Sequence, residues 1–236
     1  MILKLLVAAV IIGLFLLAVY GMVSSEKKRI KRKREDILSS GFHPIENPDP
    51  SLVKHLLSLY TKRESQKLSL RNLFQRREND YLLYLYEVWN EGSDDNHLYE
   101  EWGLAMASPY LNLPRFSLIP KIDTPGKFAG LVNRFLEKLT VKGSVKIEFA
   151  DHLPFSRRYL VTGEDESAIR KLFSSRLLNH LSSTSFLLVD GDRNLLTFSK
   201  YDLERAKRNG KMELLSSRLQ EARAFFQLIF QEVAVR

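Results

Sequence analysis

The chain has 236 residues, of which 44% are hydrophobic and 11% aromatic, a composition typical of a folded globular protein. Its formal net charge of +8 is uneven: residues 1–36 carry +5 and the remaining 200 carry +3, so the folded part lacks the strongly basic surface of a nucleic-acid-binding protein. The absence of cysteine excludes disulfides, thiol catalysis and lipid attachment to a thiol.

The first predicted element is an uncharged run of 19 residues, Leu5–Val23. A helix rises about 1.5 Å per residue, so this run would reach about 28 Å, close to the hydrocarbon thickness of a bilayer. The sequence therefore predicts a single-pass transmembrane anchor over residues 1–25. A cleaved secretory signal is the alternative, and it is disfavoured because the run is long and Tyr20–Ser24 lacks an A-x-A cleavage pattern.

One lysine precedes the run and seven basic residues follow it, which predicts a bacterial inner (plasma) membrane protein with a cytoplasmic C-terminal domain. The seven are predicted to contact anionic headgroups at the membrane surface, worth about 1 kcal/mol each. They are Lys27, Lys28, Arg29, Lys31, Arg32, Lys33 and Arg34. A glycine stop at Gly41 and three prolines within Phe42–Pro50 predict a basic stalk and linker over residues 26–50. A cytoplasmic α+β domain is predicted over residues 51–236.

This domain opens with a predicted short helix that Asp49 or Ser51 can cap. The aromatic, β-favouring run Tyr81–Trp89 and the following Leu98–Ser108 predict the two strands of a hairpin. Leu113–Pro120 predicts another strand, and its flanking prolines are typical of a sheet edge or of an abrupt entry and exit.

Further along the chain, helical spacing of apolar residues predicts a helix over Pro125–Leu139. Alternation predicts strands at Val145–Phe149 and Arg157–Thr162. A Thr or Asp cap with an acidic first turn then predicts that a helix begins within Thr162–Glu166.

Two apolar runs, Phe186–Val189 and Asn194–Phe198, flank Asp190–Arg193, and the Asp-Gly within that segment predicts a hairpin turn. A final helix is predicted over Asp202–Val233, with a heptad-like seam that favours packing on its own domain over a coiled coil. The predicted fold class is α+β: an N-terminal transmembrane helix followed by a mainly antiparallel sheet with two or three packed helices.

Motifs for chemistry are sparse. None of the five histidines lies at metal-ligand spacing from another, and the acidic residues within 94–101 are interpreted as an exposed hairpin loop. The sequence contains no nucleophile elbow, phosphate-binding loop or dinucleotide motif. We therefore predict no catalytic residues, no metal and no cofactor.

Arg157 and Arg158 are the candidate anion contacts, because arginines beside aromatic residues suit phosphates and carboxylates. In a strand, however, neighbouring side chains point to opposite faces, so both could not face one ligand without a bulge. The favoured interpretation is a structural arginine paired with Glu148 or Asp151.

Two blocks of the sequence carry a resemblance. Ser108–Pro120 contains LPRFSLIP, and Phe155–Glu166 reads FSRRYLVTGEDE. The chain resembles a family of uncharacterised bacterial single-pass membrane-anchored proteins that combine an LPxFxLxP strand with an FxRRYxVxGxDE strand-to-helix junction. The resemblance covers roughly Leu68–Leu196. It implies a bacterial source and a role without obvious enzyme chemistry, and it brings no catalytic residues.

Together these observations favour a membrane-tethered cytoplasmic protein-interaction module without catalytic activity, which binds a protein partner or itself. The alternative is a domain that binds anionic lipid headgroups or a small ligand at the membrane surface. An enzyme with an unrecognised site is a third hypothesis. Nucleic acid is not an expected partner.

Overall fold

The computed structural model describes residues 20–21, 24–25, 28, 31–32, 34–59, 68–90, 100–121, 144–183, 188–199 and 214–234. The chain divides into two units, residues 1–43 and 44–236. In the first unit, the described residues between 20 and 39 are helical. The second unit holds the sheet and the helices that position the candidate site.

Nine strands form the sheet. In chain order they are β1 His43–Pro44, β2 Leu68–Arg77, β3 Leu82–Asn90, β4 Glu100–Ala107, β5 Leu113–Pro120, β6 Val145–Ile147, β7 Tyr159–Gly163, β8 Leu188–Arg193 and β9 Leu195–Ser199. Their spatial order is β1-β2-β3-β4-β9-β8-β5-β7-β6. In this spatial order, every two neighbouring strands from β2 through to β6 at the edge are antiparallel.

Among the described residues, five helices with defined first and last residues accompany the sheet. They are α1 Pro50–Ser58, α2 Leu153–Arg158, α3 Glu166–Leu172, α4 Ser175–Ser183 and α5 Leu214–Ala234. Two of them begin at the predicted caps. The Asp49 carboxylate accepts from the Ser51 amide at 2.8 Å, and the Asp165 carboxylate accepts from the Ala168 amide at 2.9 Å. Each cap satisfies an amide that has no partner inside its helix.

The two faces of the sheet are covered by different helices. On one face, Leu56 of α1 and the adjacent Leu59 belong to a buried cluster with Tyr84, Ala105 and Leu195 of the sheet. We call this the α1 face. On the other, Phe198 of β9 meets Phe225 of α5 edge-on at 5.8 Å between ring centroids, and Phe116 of β5 meets Phe173 after α3 at 5.4 Å. We call this the α5 face.

The hairpin of β3 and β4 is confirmed, with Leu82 opposite Ala107 and Trp89 opposite Glu100. The hairpin of β8 and β9 is also present, but its turn is displaced. Pairing continues to Asp192 opposite Leu195, so the turn consists of residues 193 and 194, where Arg193 has a φ of 53°. The predicted turn residues Asp190 to Asp192 are strand residues.

Two other predictions need correction, and a third falls on residues that the structure does not describe. β5 is not an edge strand, because it lies between β8 and β7 and Pro120 is opposite Tyr159. The strand predicted over Arg157–Thr162 begins at Tyr159, and both arginines end α2 instead. The helix predicted over Pro125–Leu139 lies outside the described residues.

The fold-class prediction needs correction. No helix among the described residues is both long enough and apolar enough to cross a bilayer, which overturns the predicted transmembrane helix and the single-pass membrane class. Of the run Leu5–Val23, residues 5–19, 22 and 23 lie outside the described residues. The helix number is also wrong: the described residues alone contain five helices with defined ends beside a nine-stranded sheet, where two or three were expected.

Candidate functional site

A row of polar side chains crosses five neighbouring strands on the α1 face. Residues directly opposite each other in an antiparallel sheet share a face, so the register places these five side chains side by side. This polar row consists of Thr197, Asp190, Ser117, Thr162 and Lys146.

The buried carboxylates of this region are matched from within the fold. The Ser117 hydroxyl donates to Asp190 Oδ1, and the Thr197 hydroxyl donates to the Asp190 carbonyl at 3.4 Å. Asp192, two residues further on the same face, lies 3.1 Å from Nε2 of His55 on α1. Asp190 is 7% exposed and Asp192 is 8% exposed. Buried carboxylates need such partners because burying an unpaired charge is costly.

These groups do not form a Ser-His-Asp triad. In such a triad the serine hydroxyl hydrogen-bonds the imidazole that takes its proton. Here the Ser117 hydroxyl donates to Asp190, while the His55 imidazole bonds Asp192. Within the described residues, no group of three or more His, Asp or Glu side chains is placed to hold a metal ion. The arrangement links α1 to β8 and β8 to β5.

A small pocket opens beside the polar row. Its lining residues are Leu59, Arg115, Phe116, Ser117, Ser144, Thr162, Gly163 and Asp190. The space within it is about 10 Å³, and a single water molecule needs about that much. As the described residues line it, this pocket has room for about one water molecule among polar groups.

Two glycines explain why Asp-Gly occurs in a strand. Gly163 and Gly191 both lie opposite Phe116, on its two neighbouring strands. A Cβ atom at Gly191 would come within 2.9 Å of Phe116 Cζ, and one at Gly163 would lie 2.6 Å from the Arg115 carbonyl oxygen. Glycine thus lets the phenyl ring lie against both strands, while Asp190 faces the opposite side of the sheet.

The candidate anion contacts, Arg157 and Arg158, occupy the last turn of α2, where cations interact favourably with the helix dipole. Arg157 is exposed and Arg158 is partly buried. Glu148, one expected partner, lies 3.0 Å from Lys146 instead. The hydrogen bond and charge of Lys146 lower the pKa of Glu148 below its ordinary value. Anion contact by the two arginines stays a prediction.

The predicted membrane-surface residues are only partly described. Lys28, Lys31, Arg32 and Arg34 are exposed and helical, and Lys31 Nζ lies 3.8 Å from the carboxylate of Glu35. Lys27, Arg29 and Lys33 lie outside the described residues.

A second cluster, which the sequence did not predict, joins the β2–β3 turn to α5. Tyr81 lies 4.5 Å from Phe226 between ring centroids, and Phe226 lies 5.8 Å from Phe230. Phe230 in turn meets Tyr110 edge-on at 6.4 Å. Tyr110 is 65% exposed, so this chain of rings runs from the buried face of α5 to the surface.

Charged groups continue the chain of rings at its other end. Glu78 Oε1 lies 2.7 Å from Arg76 Nη2 and also accepts from Arg223 Nη2. Arg223 hydrogen-bonds Tyr81 as well. Burial, followed by the charge of Glu78, raises the pKa of Tyr81 above its ordinary value. We call the whole group the arginine–aromatic surface. It consists of Arg76, Glu78, Tyr81, Tyr110, Arg223 and Phe230, and the buried ring of Phe226, which is 2% exposed, joins Tyr81 to Phe230 beneath it.

Comparison with known proteins adds one likeness in fold. No family model matches the chain, and no curated protein matches it. Among solved structures, the crystal structure of the mycobacterial trehalose monomycolate transport factor A, TtfA, is similar, with a TM-score of 0.51. The match covers 86% of this chain and 93% of that chain at 9% sequence identity. An identity this low shows a shared fold alone.

Proposed function

We propose that this chain is a protein-interaction module without catalytic activity, and that a partner protein docks on the arginine–aromatic surface. The observation that carries the proposal is the contiguous run from Arg223 through Tyr81, Phe226 and Phe230 to the exposed Tyr110. Tyrosine, phenylalanine and arginine are enriched in the cores of protein interfaces, and tyrosine and arginine are frequent energetic hot spots.

The interior of the second unit supports the same proposal. Two of its buried acids, Asp190 and Asp192, are engaged by Ser117 and His55, and the pocket beside them has space for about one water. Catalytic pockets normally enclose most of a substrate and bring a nucleophile, a base and polar donors together. The polar groups of this sheet instead connect its strands to one another and to α1.

The structure with a similar fold is named as a transport factor. That name is compatible with the role in protein interaction that we propose for this chain.

Site-specific photocrosslinking tests the proposal. A photoreactive amino acid replaces Tyr110 in the full chain, and a matched control carries it at Leu153, an apolar residue of α2 that is 60% exposed. We expect one protein to crosslink at position 110 and not at position 153. That protein is then purified, and its affinity for wild-type, Tyr110→Ala and Leu153→Ala chains is measured by calorimetry.

Removal of an interface aromatic should weaken binding by about tenfold, within the usual range for such anchors. Leu153→Ala should bind as the wild type does. Equal crosslinking at both positions, or an unchanged affinity of Tyr110→Ala, would remove the support for this surface as the docking site.

A second candidate function, binding of anionic lipid headgroups, is favoured by the exposure of Lys28, Lys31, Arg32 and Arg34. Electrostatic attraction to such a surface is additive and salt-sensitive. The full chain should sediment with phosphatidylserine vesicles at low salt, and substitution of these four residues by alanine should abolish the binding. Sedimentation that is unaffected by the substitutions would eliminate this candidate.

A further inference from the structure

We draw no further inference here: the strongest candidate, the side-chain cluster on the α5 face where Trp89 and Trp102 lie beside the buried Glu87 of β3, carries none, because Arg71 already lies over the ring of Trp89, Phe74 stacks on Trp102, and nothing in the described part of the chain shows what ligand or partner would occupy it.

Discussion

The polar row and the arginine–aromatic surface both place carboxylates beside several donors, but at different depths. Asp190 is buried, and its hydroxyl partner Ser117 lies on the neighbouring strand of the same sheet. Glu78 is more exposed, and its two arginine partners come from β2 and from α5. A buried acid must be matched inside the fold, because no solvent reaches it. An exposed cation can still interact with a binding partner, so the second region is the better candidate for recognition of a partner protein.

The largest effect that this comparison predicts concerns the glycines behind the polar row. Gly163→Ala should lower the free energy of unfolding by about 3 kcal/mol, because the added methyl group would overlap the Arg115 carbonyl oxygen and the Ile169 side chain. Urea denaturation measures the change. Gly21→Ala is the matched control, since a Cβ atom at Gly21 meets nothing within 4 Å. Equal stability of the two variants would show that the close packing around Phe116 is not a constraint.

A smaller loss is expected when Asp192, the buried acid beside the polar row, loses its imidazole partner. His55→Ala leaves the Asp192 carboxylate without its imidazole, which should lower the free energy of unfolding by about 2 kcal/mol. Asp192→Asn in the same background should then cost little more. A double-mutant cycle measures this coupling. Additive effects of the two substitutions would indicate that the pair contributes nothing to stability.

Arg223→Gln should have a still smaller effect on stability, no more than about 1 kcal/mol, because its ion pair with Glu78 is partly exposed. The same variant should bind the protein crosslinked at position 110 more weakly than the wild type does. This contrast with His55→Ala separates recognition from structural support, and parallel denaturation and calorimetry measurements report it. A destabilisation as large as that of His55→Ala would indicate instead that Arg223 mainly stabilises the fold.

The smallest predicted effect is a pH dependence at the surface. The pKa of Tyr81 is raised above 10.0 in the folded protein, mainly by burial. Folding therefore favours the protonated phenol, and this contribution is present below the unfolded pKa and lost as the pH rises through the folded one. The free energy of unfolding should fall less steeply above pH 10 in Tyr81→Phe than in the wild type. Identical slopes in alkaline denaturation would contradict the shift.

The sequence correctly predicted the secondary-structure elements that are determined by residues close together in the chain. The caps Asp49 and Asp165 follow from residues within three positions of each other, and the strands of the β3–β4 hairpin follow from aromatic composition. Asp190–Gly191 has the local signal of a turn, but the ring of Phe116, which is far away in the sequence and lies on the neighbouring strand β5, requires glycine at that position. Tertiary packing therefore overrides turn chemistry here.

For the same reason, the candidate site could not be predicted from the sequence. His55 and Asp192 are 137 positions apart, and Glu78 and Arg223 are 145 apart. No spacing rule connects such residues, because the sheet order brings them together. The sequence predicts that Arg157 and Arg158 are neighbours in a strand, yet they end a helix whose first turn contains a proline.

The most direct test of the central claim is the affinity of the full chain for the partner crosslinked at position 110, compared between the wild type and Tyr110→Ala. We expect a loss of about tenfold in affinity with an unchanged free energy of unfolding. Equal affinities of the two chains would contradict the claim that this surface binds the partner.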